Sequence, residues 1–276
     1  MLGRDTTVDQ PLRASVVLYL LARKGRPRSK AMGKHDHHHH HHDVEACYPS
    51  GPDGYMIESP ELRWAFIRKV YVIVSIQMLV TVAVAAAMNL TDCVRNFFLS
   101  RTPAALVAFI LILISPLLVM LPMVYFRQKH PVNLVFLGIF TVCVSLSVGL
   151  GCLTKRGPII FEAAGMTLVV VVSLTAYTFW AGRRGHDFEF LGPFLFAACV
   201  ILMLYAIVII LFPMGKTAVL VYGCIAALIF SAFIIYDTDN LIKRYTYDEY
   251  VAASITLYLD IINLFRAILM ALDAAD

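Results

Sequence analysis

The 276-residue chain is 59% hydrophobic and only 15% charged, with a mean hydropathy of +0.74 and a formal net charge of +4. An average soluble domain is about 45–50% apolar and about 25% charged, and no single core of this size hides the surplus. This excludes a soluble enzyme, a nucleic-acid-binding module and a disordered chain, and leaves an all-α polytopic membrane protein whose excess apolar surface is solvated by lipid.

Residues 1–69 form a polar cytosolic segment, expected to be mostly disordered, that carries 11 of the 23 Lys and Arg residues. Its one apolar stretch, Ala14–Ala22, is too short to span a bilayer, which takes about 20 residues. His37–His42 is an uninterrupted histidine run and says nothing about fold. Beyond it, stretches free of Asp, Glu, Lys and Arg recur at Val70–Thr91, Ala104–Phe126, Val132–Leu153, Ala163–Gly182, Leu191–Gly215 and Thr217–Tyr236. A seventh, Val251–Leu272, is interrupted by Asp260 and Arg266 and is expected either to span or to re-enter. The runs are solidly apolar, not alternating, which excludes a membrane β-barrel. The links are short, so neighbouring spans are antiparallel in one seven-helix domain over residues 70–272. Ala83, Ala85, Ala86 and Ala87 suit close helix packing. Basic residues crowd the first flank (Arg63, Arg68, Lys69), which places the N-terminus in the cytosol. The six cysteines lack any CxxC spacing and read as small buried residues.

Ionisable residues inside spans are costly and point to function. Asp237 closes the sixth run and Asp260 sits within the seventh. Adjacent antiparallel helices can bring them together. In a low-dielectric site, desolvation and repulsion oppose ionisation of both carboxyls, so such a pair shares a proton and titrates as a unit. That makes a pH sensor or a weak site for a hard cation such as Ca2+, which takes six to eight oxygen ligands and needs carbonyls or water besides.

Leu257-Tyr258-Leu259-Asp260-Ile261-Ile262-Asn263-Leu264-Phe265 closely resembles the terminal motif of the Bax inhibitor-1 family, also called the transmembrane Bax inhibitor motif proteins. Tyr236-Asp237-Thr238 is similar to its sixth-span motif. Phe126–Leu134 is similar to the loop between spans two and three in the Lifeguard branch, and Tyr55–Val70 to plant Lifeguard proteins. The resemblance runs from about Asp43 to Leu272. It implies a seven-helix Bax inhibitor-1 fold in the endoplasmic reticulum or another endomembrane, suppression of stress-induced cell death, and a pH-sensitive Ca2+ leak. Its partners would be lipid, Ca2+ as transported ion and cell-death regulatory membrane proteins, with no cofactor and no nucleic acid.

It further implies that Asp237 and Asp260 form the sensor and cation site, that Arg127 latches it, and that Glu162 stands near an ion entrance. Two positions depart from the family. Asp239 stands where Gln or Asn is common, adding a third acid, and Arg266 where an apolar residue is usual. The alternative is an intramembrane aspartyl protease using the same two aspartates. Leu257-Tyr258-Leu259 before Asp260 replaces the Gly-x-Gly approach such an enzyme needs, and its Pro-Ala-Leu signature is absent. A non-enzymatic regulator is therefore expected.

Overall fold

The computed structural model describes residues 60–100, 102–125, 131–212 and 215–276. The N-terminal stretch with the histidine run and Arg127 lie outside them. Eight α-helices and one 3-10 turn make up the described residues, with no strand among them: α1 (Pro60–Leu90), α2 (Asp92–Leu99), α3 (Pro103–Tyr125), α4 (Val132–Cys152), α5 (Gly157–Arg183), α6 (Leu191–Leu211), α7 (Lys216–Lys243), the turn Tyr247–Glu249, and α8 (Tyr250–Ala275). All but α2 are long and apolar enough to cross a membrane.

Several ends differ from the uncharged runs. The first helix begins at Pro60 instead of Val70, because Phe66, Ile67 and Val70 are buried against the bundle while Arg68 turns outward and Lys69 packs on Tyr250. The sixth spanning helix, α7, continues past Tyr236 to Lys243, so Asp237 lies inside a helix and does not cap one. The link to α8 is only Arg244–Glu249. It is pinned at its start by Arg63, whose Nη1 donates to the Tyr245 carbonyl at 2.6 Å. It is pinned at its end by Lys69, whose Nζ sits 3.4 Å from the centroid of the Tyr250 ring. At the opposite face Lys155 pairs with Asp273 and Arg156 with Asp276, joining the α4–α5 link to the end of α8. The two ends of α8 therefore lie on opposite faces, which makes the last segment a full crossing in length and not a re-entrant hairpin.

The architecture is one central helix against which four others pack, with α3 laid on α4 and α6 on α7. Helix α8 is buried along nearly its whole length, including Tyr258, Leu259 and Ile262, and packs on α1, α4, α5 and most extensively on α7. The outer helices turn large apolar side chains outward, among them Leu79, Phe161, Phe194 and Leu228, each about 70% or more exposed (70%, 82%, 69% and 73%). In a bilayer these meet lipid. Close backbone approach is not where the alanine run suggests: Ala83, Ala86 and Ala87 are exposed, and only Ala85 meets a neighbour closely, at Gly149. Backbones come close where α7 crosses α8 and Gly223 faces Ala267 and Ala271.

This topology carries a direct test of orientation. With the N-terminus cytosolic, seven crossings put Asp276 on the far side of the membrane, so a glycosylation acceptor appended after Asp276 is modified. An unmodified acceptor with a cytosolic reporter signal reverses the assignment.

Candidate functional site

The polar groups concentrate along α8 and the last quarter of α7, after Tyr236. Asp260 is fully buried and Asp237 is 2% exposed. A buried carboxylate is tolerated only with compensating partners. For Asp237 one is Asn240, one turn on, whose Nδ2 donates to Oδ1 at 3.2 Å. Asn263 stands one turn after Asp260, equally buried, and neither of its amide atoms has a hydrogen-bond partner among the described residues. Aspartate and asparagine thus recur at the same spacing on the two helices: Asp237-Thr238-Asp239-Asn240 and Asp260-Ile261-Ile262-Asn263. Residues three apart share a helix face, so this D-x-x-N repeat was the available signal for both asparagines. Sequence reasoning missed them.

The chemistry of this donor set suits a hard cation. The two carboxylates and the Asn263 carboxamide can offer oxygen, which falls short of what Ca2+ requires without water or backbone carbonyls; Asn240 turns its carboxamide oxygen to Arg244 Nη1 at 2.7 Å and presents its amide nitrogen to Asp237. Among the described residues no three His, Cys, Asp or Glu side chains converge on one metal-sized site.

The remaining predicted residues separate from it. Asp239 is wholly buried but engaged elsewhere. Its Oδ1 lies 2.6 Å from Lys243 Nζ and its Oδ2 accepts from the Phe188 amide at 3.3 Å, which ties the end of α7 to the α5–α6 link. Glu162 lies exposed in α5, near the end of the bundle opposite that link. Arg266 is buried on α8, where its Nη2 donates to Ser147 Oγ on α4 at 2.8 Å. A second polar seam joins α1, α4 and α8. Gln77 Nε2 donates to Thr141 Oγ1 at 2.9 Å, and Thr81 Oγ1 is shared with Ser145 Oγ at 3.0 Å and with the Tyr258 hydroxyl at 2.8 Å. Among the cysteines, Cys152 and Cys199 are buried and Cys93 and Cys224 are exposed.

Above Asp237, at the face that carries the start of α1, an ionic cluster holds the α5–α6 link down on α7. Arg244 Nη2 lies 2.9 Å from Asp187 Oδ1 and 3.3 Å from Glu189 Oε2, and Lys243 Nζ lies 3.7 Å from Asp187. Partial burial works against ionisation of Asp187. Arg244, the Glu189 amide, Lys243 and Asp239 outweigh it and hold the carboxyl below its usual range. A depressed carboxyl contributes its stabilisation above the unfolded value of about 3.9 and loses it only as pH falls further. The Asp187 pairing is therefore constant between pH 5 and 8, and any response in that window comes from other groups.

The comparisons with known proteins fit this arrangement. Residues 63–276 match the family model described as inhibitor of apoptosis-promoting Bax1. The chain is 56% identical to Protein LIFEGUARD 2 of Arabidopsis thaliana over 221 residues, covering 80% of this chain and 92% of that protein. It is 55% identical to Protein LIFEGUARD 4 of the same plant, over 80% of this chain and 89% of the relative. The Golgi anti-apoptotic protein of Vaccinia virus (strain Lister) is 38% identical over 79% of this chain and 89% of its own length. A model match that takes in every spanning helix, together with plant relatives above half identity, makes the chain an integral membrane member of the Bax inhibitor family, similar to the Lifeguard proteins.

Proposed function

We propose that this protein is an endomembrane regulator of stress-induced cell death that acts as a pH-sensitive Ca2+ leak, with its N-terminus in the cytosol. The observation that carries the reading is the enclosure of Asp237 and Asp260, 2% and 0% exposed, on the two helices that pack most extensively on each other. Carboxylates this deep in a membrane bundle are expensive unless function retains them. Protonation relieves their repulsion, so the proton and the cation compete for one place. The anti-apoptotic name of the viral relative and the family model support the cell-death role. Endomembrane residence is supported by the Golgi in that relative's name. The partners are the bilayer, Ca2+ and cell-death regulatory membrane proteins. The enclosure of Asp260 by α1, α4, α5 and α7 leaves no open face for an extended peptide, which weighs against the protease alternative.

The test is Ca2+ flux through the purified protein in liposomes from pH 5 to 8. The reading requires a flux that depends on pH and is carried by the protein. No flux above empty liposomes at any pH overturns it. Within this reading Arg127 is the latch on the ionised pair. Arg127→Gln then raises basal leak, and an Asp260→Asn background hides the increase. If Arg127→Gln changes only insertion or topology, it is a positive-inside anchor and not a latch.

A further inference from the structure

The bundle interior holds a cationic side chain as well as the two aspartates. Arg266 is buried on α8, six residues after Asp260, which is about 9 Å further along the helix axis. It is the last buried polar side chain of α8 before the far face. Ala267, Ile268 and Leu269 follow it, and the next charge on the helix is Asp273, paired with Lys155 at that face. A guanidinium is always charged, and a charge at this depth is costly unless it is used. Its Nη2 donates to the Ser147 hydroxyl of α4 at 2.8 Å. A hydroxyl takes the hydrogen bond and cancels no charge. One residue on, the α7 backbone closes in, since a Cβ on Gly223 would stand 3.0 Å from the Ala267 carbonyl oxygen. An ion passing between the aspartates and the far face therefore finds the α7 side of α8 shut by backbone, and on the α4 side it meets Arg266.

We propose that Arg266 sets the size and the valence selectivity of the leak, as a fixed positive charge that holds cations back between the aspartate site and the far face. The inference rests on the leak proposed above and deepens it: the acids attract the ion, and the guanidinium opposes its passage to or from the far face. Coulomb repulsion scales with the charge of the ion. A divalent ion is therefore opposed by twice the free energy that a monovalent one meets, and its passage is reduced by the square of the monovalent factor. The guanidinium stays charged from pH 5 to 8, so the barrier acts on the amplitude of the flux.

The test compares Ca2+ and K+ flux through the full chain in phosphatidylcholine liposomes, wild type against Arg266→Gln and Arg266→Lys. Glutamine keeps an N–H donor and removes the charge. It is expected to raise Ca2+ flux about tenfold or more, and K+ flux only by the square root of that factor, about threefold. Lysine keeps the charge without the planar fork and stays within about twofold of wild type. A bundle that is merely loosened passes both ions in equal measure. An unchanged Ca2+-to-K+ ratio in Arg266→Gln therefore overturns the proposal, as does a lysine variant that leaks like the glutamine one. If Arg266→Gln does not fold, Ser147→Asp takes its place. Arg266 stays, a carboxylate is set against its guanidinium, and the ratio must rise in the same way or the proposal fails. The leak and the barrier fail separately. A wild type with pH-dependent Ca2+ flux and an unchanged ratio in the variants keeps the leak and refutes the barrier. A silent wild type beside an Arg266→Gln variant that passes Ca2+ refutes the leak and supports the barrier. Silence in both overturns both.

Discussion

Asp237→Asn and Asp260→Asn will each flatten the pH profile of Ca2+ flux, and the double variant will be little flatter than either. Asparagine keeps the shape of the side chain and removes its proton. A single controlling carboxyl changes its ionised-to-protonated ratio tenfold per pH unit, so a wild-type flux ratio on the order of tenfold across pH 5 to 8 collapses toward one. The non-additivity is the sharper part. Groups that share a proton act as one unit, and removing the second adds nothing once the first is gone. Asp237 is not a helix cap, since α7 runs six residues beyond it. Its substitution therefore leaves the helix end intact, and a loss of pH response cannot be assigned to fraying. Additive effects of the two single changes would mean two independent sites. An unaltered profile in both would remove the sensor altogether.

The second large effect is on stability. A Cβ placed on Gly223 would stand 2.9 Å from the Ala271 nitrogen and 3.0 Å from the Ala267 carbonyl oxygen. Those are backbone atoms of α8, the central helix, and they cannot rotate away. The methyl group of Gly223→Ala must push α7 and α8 apart there, at the cost of about 1–3 kcal/mol typical of an overpacked interior. Gly223→Leu is expected to prevent correct assembly. Gly165→Ala is the control: nothing lies within 4 Å of a Cβ there, so the detergent unfolding midpoint is unchanged or higher, because alanine is the better helix former. Equal midpoints for Gly223→Ala and Gly165→Ala would show that the crossing yields. Because α7 and α8 also carry Asp237 and Asp260, a folded Gly223→Ala protein should show a displaced flux profile as well.

How much of this was legible in the amino-acid order varies by element. Six of the seven crossings were, since an apolar run long enough for a bilayer has few other solutions, while the seventh stood open between spanning and re-entry. So were Asp237 and Asp260, because a carboxylate in such a run stands out against its cost. The link ending at Phe190 fell where the charges reappear, but the link after α4 is shorter than the charges suggest, because the helix read as starting at Ala163 begins at Gly157 and takes Glu162 into it. The helix ends were not legible where charge and burial part company. Asp237, Asp239 and Lys243 read as the end of a span, yet the helix continues through them because Asp239 and Lys243 satisfy each other and Asn240 donates to Asp237. The start of α1 at Pro60 was hidden in the same way, by Arg63, Arg68 and Lys69, of which Arg63 and Lys69 find partners at Tyr245 and Tyr250 while Phe66 is buried.

The last helix shows the reason most plainly. Among the seven candidate spans α8 has the lowest hydropathy, 1.8 against 2.1 to 2.9, and the largest share buried, 83%. Its Ser254, Thr256, Asp260, Asn263 and Arg266 made the run look doubtful as a crossing. Hydropathy measures transfer of a side chain into lipid, and the residues of α8 meet other helices instead, which can offer hydrogen bonds that lipid cannot. The order of amino acids determined that seven segments enter the membrane and which two carboxyls go with them. Only the packing of the chain decided which of the seven is sheltered from lipid. Packing also decided that Arg244 reaches back to Asn240, because partners between helices depend on their rotation and approach, which no apolar count contains.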